Sequence, residues 1–272
     1  MRWPFLLIAA VLLLAIALVL RAWLRRRNLK KWVPTREAPR LRNAVVLAHG
    51  VFGFDEIVVA GRRHRYFRNI SERLAAPGAD FHRPNVPPRA SVPARAEKLV
   101  AILRDLPGER INVIAHSMGG LDARYAIARL GLASRVACLV TIGCPHLGTP
   151  LAAMPLARAA ARFLGLAALN DLTPGALERF NREVPDVEGV AYYSVVASAA
   201  LLRTNPLLWP THLVLSARSG PNDGIVPAAS QRWGKVLHEV EADHWAQVGW
   251  SLRFDAVAFY EKILRELAAL GF

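Results

Sequence analysis

The 272-residue chain predicts an α/β fold: a mostly parallel sheet with helices on both faces, carrying a helical insertion and preceded by one N-terminal transmembrane helix. Three observations carry that prediction. Short apolar runs ending near Ala48, Ala115, Gly143, Val196, Leu215 and Val240 alternate with helix-forming stretches at Val92 to Leu106, Gly119 to Leu130 and Phe254 to Leu270. The segment INVIAHSMGG (Ile111 to Gly120) breaks from a strand pattern into small residues at a serine and then runs into the helical pattern LDARYAIARL. An apolar run without interruption, Trp3 to Leu20, opens the chain.

That opening run is 18 residues long, about 27 Å as a helix, which matches the hydrocarbon core of a bilayer. It exceeds the usual apolar core of a signal peptide, and no small-x-small cleavage site follows it. Instead come Arg21, Arg25, Arg26, Arg27, Lys30 and Lys31. We therefore read residues 1–24 as an uncleaved anchor and 25–42 as a basic juxtamembrane linker. The basic side of a span stays inside, which puts the following domain in the cytoplasm of a single-pass inner-membrane protein. Two cysteines in the whole chain agree with a reducing compartment. The net charge is +14, and nine basic residues against one acid fall between Arg21 and Arg42. Charge concentrated beside a span fits anionic lipid headgroups. No nucleic-acid recognition motif accompanies it, so nucleic acid is not an expected partner.

The remaining residues, 43–272, suit one α/β domain. Its first strand (Ala44 to Ala48) breaks into His49-Gly50-Val51-Phe52-Gly53, a turn whose glycines let the backbone approach a ligand closely. The strand, sharp turn and helix around Ser117 have the layout of a nucleophile elbow, with Ala115 and Gly119 as the small flanking residues. As an isolated signal, Ser117 also reads as a helix N-cap; its neighbours His116, Met118, Gly119 and Gly120 are what an elbow needs. Serine is a weak nucleophile and requires a base, which requires an orienting carboxylate, in the chain order Ser, acid, His. Downstream, THLVLSARSGPNDGIVP offers an apolar strand at Leu213 to Leu215 leading to Asp223, and KVLHEVEADHWAQVGW offers a strand leading to His244. Asp223 in Asn-Asp-Gly also reads as a turn former. Asp243 is the rival acid and His146 the strongest rival histidine. The backbone N–H groups of Val51 and Met118 would form the oxyanion hole.

Between Pro150 and Pro185 the alternation gives way to LAAMPLARAAARFLGLAALNDLTPGALERF. This helix-forming, largely apolar insertion, about 150–185, reads as a lid, with Leu151, Met154, Leu156, Phe163, Leu164, Leu166 and Leu169 available for an acyl channel or for the core. A second insert, ALLRTNPLLWP, presents further apolar residues near the same edge.

Taken together, AHGVFGF, INVIAHSMGGLDARY, TIGCPHLGTP, LTPGALERFNREVP, SGPNDGIVP and DHWAQV resemble the corresponding segments of the α/β-hydrolase superfamily, specifically bacterial triacylglycerol lipases of the Pseudomonas and Burkholderia type. The resemblance spans roughly Asn43 to Trp250. It implies a triad of Ser117, Asp223 and His244, and hydrolysis of carboxylic (fatty acyl) esters through an acyl-enzyme. Phospholipase, thioesterase or acyltransferase chemistry would use the same groups, and a catalytically silent binding protein would share the fold. Secreted members of that family raise a periplasmic or secreted placement as the alternative to the cytoplasm. Where many of them hold calcium with an aspartate two residues past the histidine, this chain has Ala246, so no metal and no cofactor is expected. Cys138 and Cys144 read as free, buried thiols. Oligomeric state is not readable from the sequence.

Overall fold

The computed structural model describes residue 39 and residues 41–51, 53, 56–59, 62–74, 81–251 and 253–272. The anchor expected at 1–24 and most of the linker at 25–42 lie outside the described residues. Among the described residues, no helix is long and apolar enough to cross a membrane.

Six strands form the main sheet: β1 (Ala44–Ala48), β4 (Phe81–His82), β5 (Ile111–His116), β6 (Val136–Ile142), β7 (Ala191–Ser198) and β8 (Lys235–Glu241). Their order is β4-β1-β5-β6-β7-β8, with every adjacent pair parallel. A separate antiparallel hairpin pairs β2 (Glu56–Val59) with β3 (Arg62–Arg65). The inner strands are apolar on both faces because both faces are covered, and every residue of β5 and β6 is buried. Alternate residues serve the two sides. Ile114, Val140 and Ile142 pack against α1 (Ile70–Leu74) and α8 (Ala256–Ala269). Val113, Ala115 and Leu139 pack against α2 (Val92–Arg104) and α3 (Gly119–Arg129). Each large aliphatic side chain so buried contributes about 1.5–3 kcal/mol.

Parallel strands end at one edge of the sheet, and this edge receives every functional loop. The sequence is read correctly for the strands ending near Ala48, Ala115, Gly143, Val196 and Val240. It is misread at Leu213–Leu215, which belong not to a strand but to the helix α7 (Trp209–Ser219). Pro210 in its first turn starts that helix, and Gly220 at φ +77° ends it. His212 and Leu215, three apart, face inward while Leu213 is exposed, which is helical rather than alternating burial. β2, β3 and β4 went unread; a strand of two residues has no alternation to detect. The expected lid is helical: a 3-10 turn at Pro150–Ala153, then α4 (Pro155–Phe163), α5 (Ala167–Asp171) and α6 (Pro174–Glu183).

Candidate active site

Ser117 follows the last residue of β5, at the centre of the sheet edge, and has φ +56°. A left-handed backbone at a residue with a side chain stores about 1–3 kcal/mol, and surrounding contacts must hold it there. They do: the Ser117 N–H donates to the Ile142 carbonyl of β6 at 2.9 Å, while the Ser117 carbonyl accepts from Gly120 N at 3.1 Å. Gly119 is small by necessity. A Cβ there would stand 2.7 Å from the Ala48 carbonyl oxygen and 2.8 Å from that of His49.

Asp223 and His244 arrive on two loops that are tied together twice. The His244 N–H donates to the Asp223 carbonyl at 2.8 Å, and His244 Nδ1 lies 2.8 Å from Asp223 Oδ2. Because a carboxylate only accepts, Nδ1 carries the proton and Nε2 is left with a lone pair. The carboxylate is fully buried and filled with donors: Oδ1 takes the N–H groups of Ile225 and Val226, and Oδ2 also takes Gln247 Nε2. Asn222 makes its own turn by accepting from Gly224 N, and its carbonyl takes the Ala199 N–H beyond the end of β7. So the Asn-Asp-Gly segment is a turn former and an acid holder at once. The rival acid is occupied elsewhere, since Asp243 caps the next turn through Trp245 N and Ala246 N and takes the Asn205 N–H.

The turn after β1 sits against the serine. A Cβ on Gly50 would lie 2.7 Å from Ser117 Cβ and 3.1 Å from its Oγ. His49 holds that turn by donating from Nδ1 to the Gly50 carbonyl and accepting from Val86 N at Nε2. Val51, half-buried, packs into the same apolar cluster as Met118, so the two expected oxyanion donors belong to neighbouring segments. Beneath them lies a residue that the sequence reading missed. Arg95, fully buried on α2, pairs with Asp122 of α3 at 2.7 Å and donates to the His49 and Gly50 carbonyls at 2.8 and 3.3 Å. Its signal was present: Arg95 lies on the same helical stripe as Leu99 and Leu103, where an arginine needs buried partners.

His146 is engaged by other partners. It stacks on Trp233, accepts from Arg124 at Nδ1 and meets Thr141 Oγ1 with Nε2. Burial, followed by the Arg124 charge, pushes its pKa well below the usual 6.5. Arg124 lies between the Trp233 and Phe180 rings and donates to Asn181 and Val184 of the lid base, with its own pKa lowered to about 10 by burial. Cys138 and Cys144 are free and buried, as expected.

With this geometry in place, comparison with known proteins identifies the lineage. A model of the alpha/beta hydrolase fold matches residues 43–181. The chain belongs to the alpha/beta hydrolase family. It is 30% identical over 249 residues to a triacylglycerol lipase of Vibrio cholerae, covering 73% of this chain and 76% of that one. It is 29% identical over 243 residues to triacylglycerol lipase 2 of Saccharomyces cerevisiae, covering 76% and 74%. A metagenomic carboxyl esterase of known structure aligns with TM-score 0.72 and 23% identity over 89% of this chain and 80% of that one, a likeness of fold.

In this alpha/beta hydrolase the insertions leave apolar side chains in solvent. Leu156 and Phe163 of α4 are each 81% exposed, and Leu164 follows them. Leu202 and Leu207 of the second insert and Leu213 of α7 are exposed as well. Of the lid residues considered for an acyl channel, Leu166 is buried, while Leu151, Met154 and Leu169 are half-buried.

Proposed function

We propose that this chain cleaves fatty acyl esters through a covalent acyl-enzyme on Ser117. The chain is a carboxylic-ester hydrolase, the class to which its triacylglycerol lipase relatives belong. The mechanism proposed for it runs in two halves. Ser117 Oγ attacks the ester carbonyl carbon as His244 Nε2 takes its proton, with Asp223 orienting the imidazole and stabilising the imidazolium. The N–H groups of Val51 and Met118 hold the oxyanion. The tetrahedral adduct collapses, the alcohol leaves with the proton from His244, and water then repeats the sequence on the acyl-enzyme.

The observation that carries this reading is the 2.8 Å bond from His244 Nδ1 to a fully buried Asp223, on the same sheet edge as a serine with φ +56°. Exposed leucines and Phe163 around that edge support a long acyl chain over a short one. The lid helix α4 carries Arg158 and Arg162, the second insert Arg203 and α7 Arg218 beside those apolar groups. That pairing supports an apolar substrate drawn from an anionic lipid surface. Anchoring by residues 1–24, with the domain on the cytoplasmic face, completes the proposal.

The test is hydrolysis of p-nitrophenyl esters from acetyl to palmitoyl by the full chain in detergent, beside Ser117→Ala. Turnover rising with chain length, abolished in the variant, and fluorophosphonate labelling at Ser117 are expected. Turnover that survives Ser117→Ala would overturn the mechanism. High activity of a C-terminal alkaline phosphatase fusion would overturn the cytoplasmic placement.

A further inference from the structure

The groups behind the triad form a continuous chain that ester hydrolysis, as written above, does not use. Gln247 lies three residues past His244 and donates from Nε2 to Asp223 Oδ2 at 2.8 Å. Its Oε1 lies 3.2 Å from His116 Nε2. His116 Nδ1 lies 2.7 Å from the Tyr66 hydroxyl. A Cβ on Gly50, in the turn that abuts Ser117, would stand 3.0 Å from the Tyr66 hydroxyl oxygen. His116 itself precedes the serine, and its ring centroid is 4.5 Å from that of His244.

We infer that Tyr66, His116 and Gln247 are positioning residues that set the triad acid and the oxyanion turn as one unit. The hydrogen-bond directions from Asp223 through Gln247 and His116 to Tyr66 are forced. A carboxylate accepts only, so the Gln247 amide must present NH₂ to Asp223 and its carbonyl to His116. That carbonyl needs a donor, so His116 carries its proton on Nε2. Nδ1 is then an acceptor and takes the Tyr66 O–H, whose oxygen packs against Gly50. Reversing one member would leave two acceptors or two donors face to face in a buried site. The neutral state this requires of His116 agrees with its burial and with the neighbouring His244, both of which lower its pKa well below 6.5.

Space is reserved for the chain as well. Gly143, just past β6, has φ +57°, and a Cβ on it would fall 2.1 Å from Gln247 Oε1. At the other end, Trp250 Nε1 holds the Tyr66 carbonyl at 2.9 Å, and the Arg68 N–H holds that of Val248. The segment carrying Gln247 is thereby fastened to the segment carrying Tyr66 by main-chain bonds as well as by the relay.

The inference rests on the acyl-enzyme reading, and the experiment separates the two. The full chain is assayed on p-nitrophenyl butyrate as Tyr66→Phe, Gln247→Met, the double variant, His116→Leu and His116→Gln, with Tm for each and Ser117→Ala as control. The groups act on transition-state geometry, so each single change is expected to lower kcat about tenfold with KM within about twofold. The double variant is expected to lose about as much as either single, because one break disconnects the whole chain. His116→Gln, which retains a donor for Gln247 Oε1, is expected to recover part of the activity lost in His116→Leu. Losses that multiply to about 100-fold in the double variant, or a fall in Tm with kcat unchanged, would overturn the relay. Hydrolysis that survives Ser117→Ala would instead overturn the acyl-enzyme reading, and the relay with it.

Discussion

Asp223 is fully buried and takes four N–H donors on its two carboxylate oxygens, whereas Leu156 and Phe163 stand 81% exposed on an amphipathic helix. Both regions sit at the carboxyl edge of one sheet. In the first, each polar atom has a fixed partner, as a group that must hold its orientation through a reaction requires. In the second, large apolar side chains stand in solvent, as the proposed contact with an acyl substrate would use them. If the proposed function holds, the fold divides chemistry from recognition, and the two should respond differently to substitution.

The largest effect should come from the saturated side. Asp223→Asn keeps the shape but presents an amide to His244 Nδ1, and kcat is expected to fall about 10⁴-fold on any acyl length. Asp243→Asn, which disturbs a turn cap and the Asn205 contact but not His244, should stay within about tenfold. If the two variants lost equal activity, the acid assignment would be wrong. Gly119→Ala comes next. Its Cβ would strike the Ala48 and His49 carbonyls, and a chevron or thermal melt should register a loss of about 1–3 kcal/mol. A variant as stable as the parent would show that the elbow has slack.

Acid should then weaken the saturated side before the rim. His116 and His146 are both held neutral, with pKa values well below 6.5. At these two positions the unfolded chain therefore binds more protons than the folded one below about pH 6.5, an effect that Asp122, raised to about 7 by burial, offsets in part. Stability is full above that pH and is lost as it falls, by up to about 1.4 kcal/mol per group per pH unit. A Tm unchanged between pH 7.5 and 5.5 would contradict this. The smallest effect belongs to the rim: Leu156→Ser with Phe163→Ser should leave Tm and acetyl-ester turnover unchanged while lowering palmitoyl-ester turnover about threefold. Equal losses on both esters would erase the division between the two regions.

What the sequence could convey follows the range of the interactions. Ser117, with its small neighbours and flanking strand and helix, is a local pattern, and so are the turn after Ala48 and the Asn-Asp-Gly segment. Those readings need only residues a few positions apart. Gln247 meets His116 across 131 positions and Tyr66 meets His116 across 50, and no spacing rule reports such pairs. α7 failed for another reason. Leu213 to Leu215 is a short apolar run that suits a strand as well as a helix, and Pro210, which decides between them, lies before it. Asp223 is therefore reached through a helical excursion after β7 rather than directly off a strand.

Ser117 carries one more implication, through its φ of +56°. Glycine adopts that backbone angle freely, whereas serine adopts it only under strain. Ser117→Gly would relieve the strain while deleting the hydroxyl, so the inactive protein should be the more stable one. Along any lineage freed from selection for turnover, mutation at this position would run thermodynamically downhill.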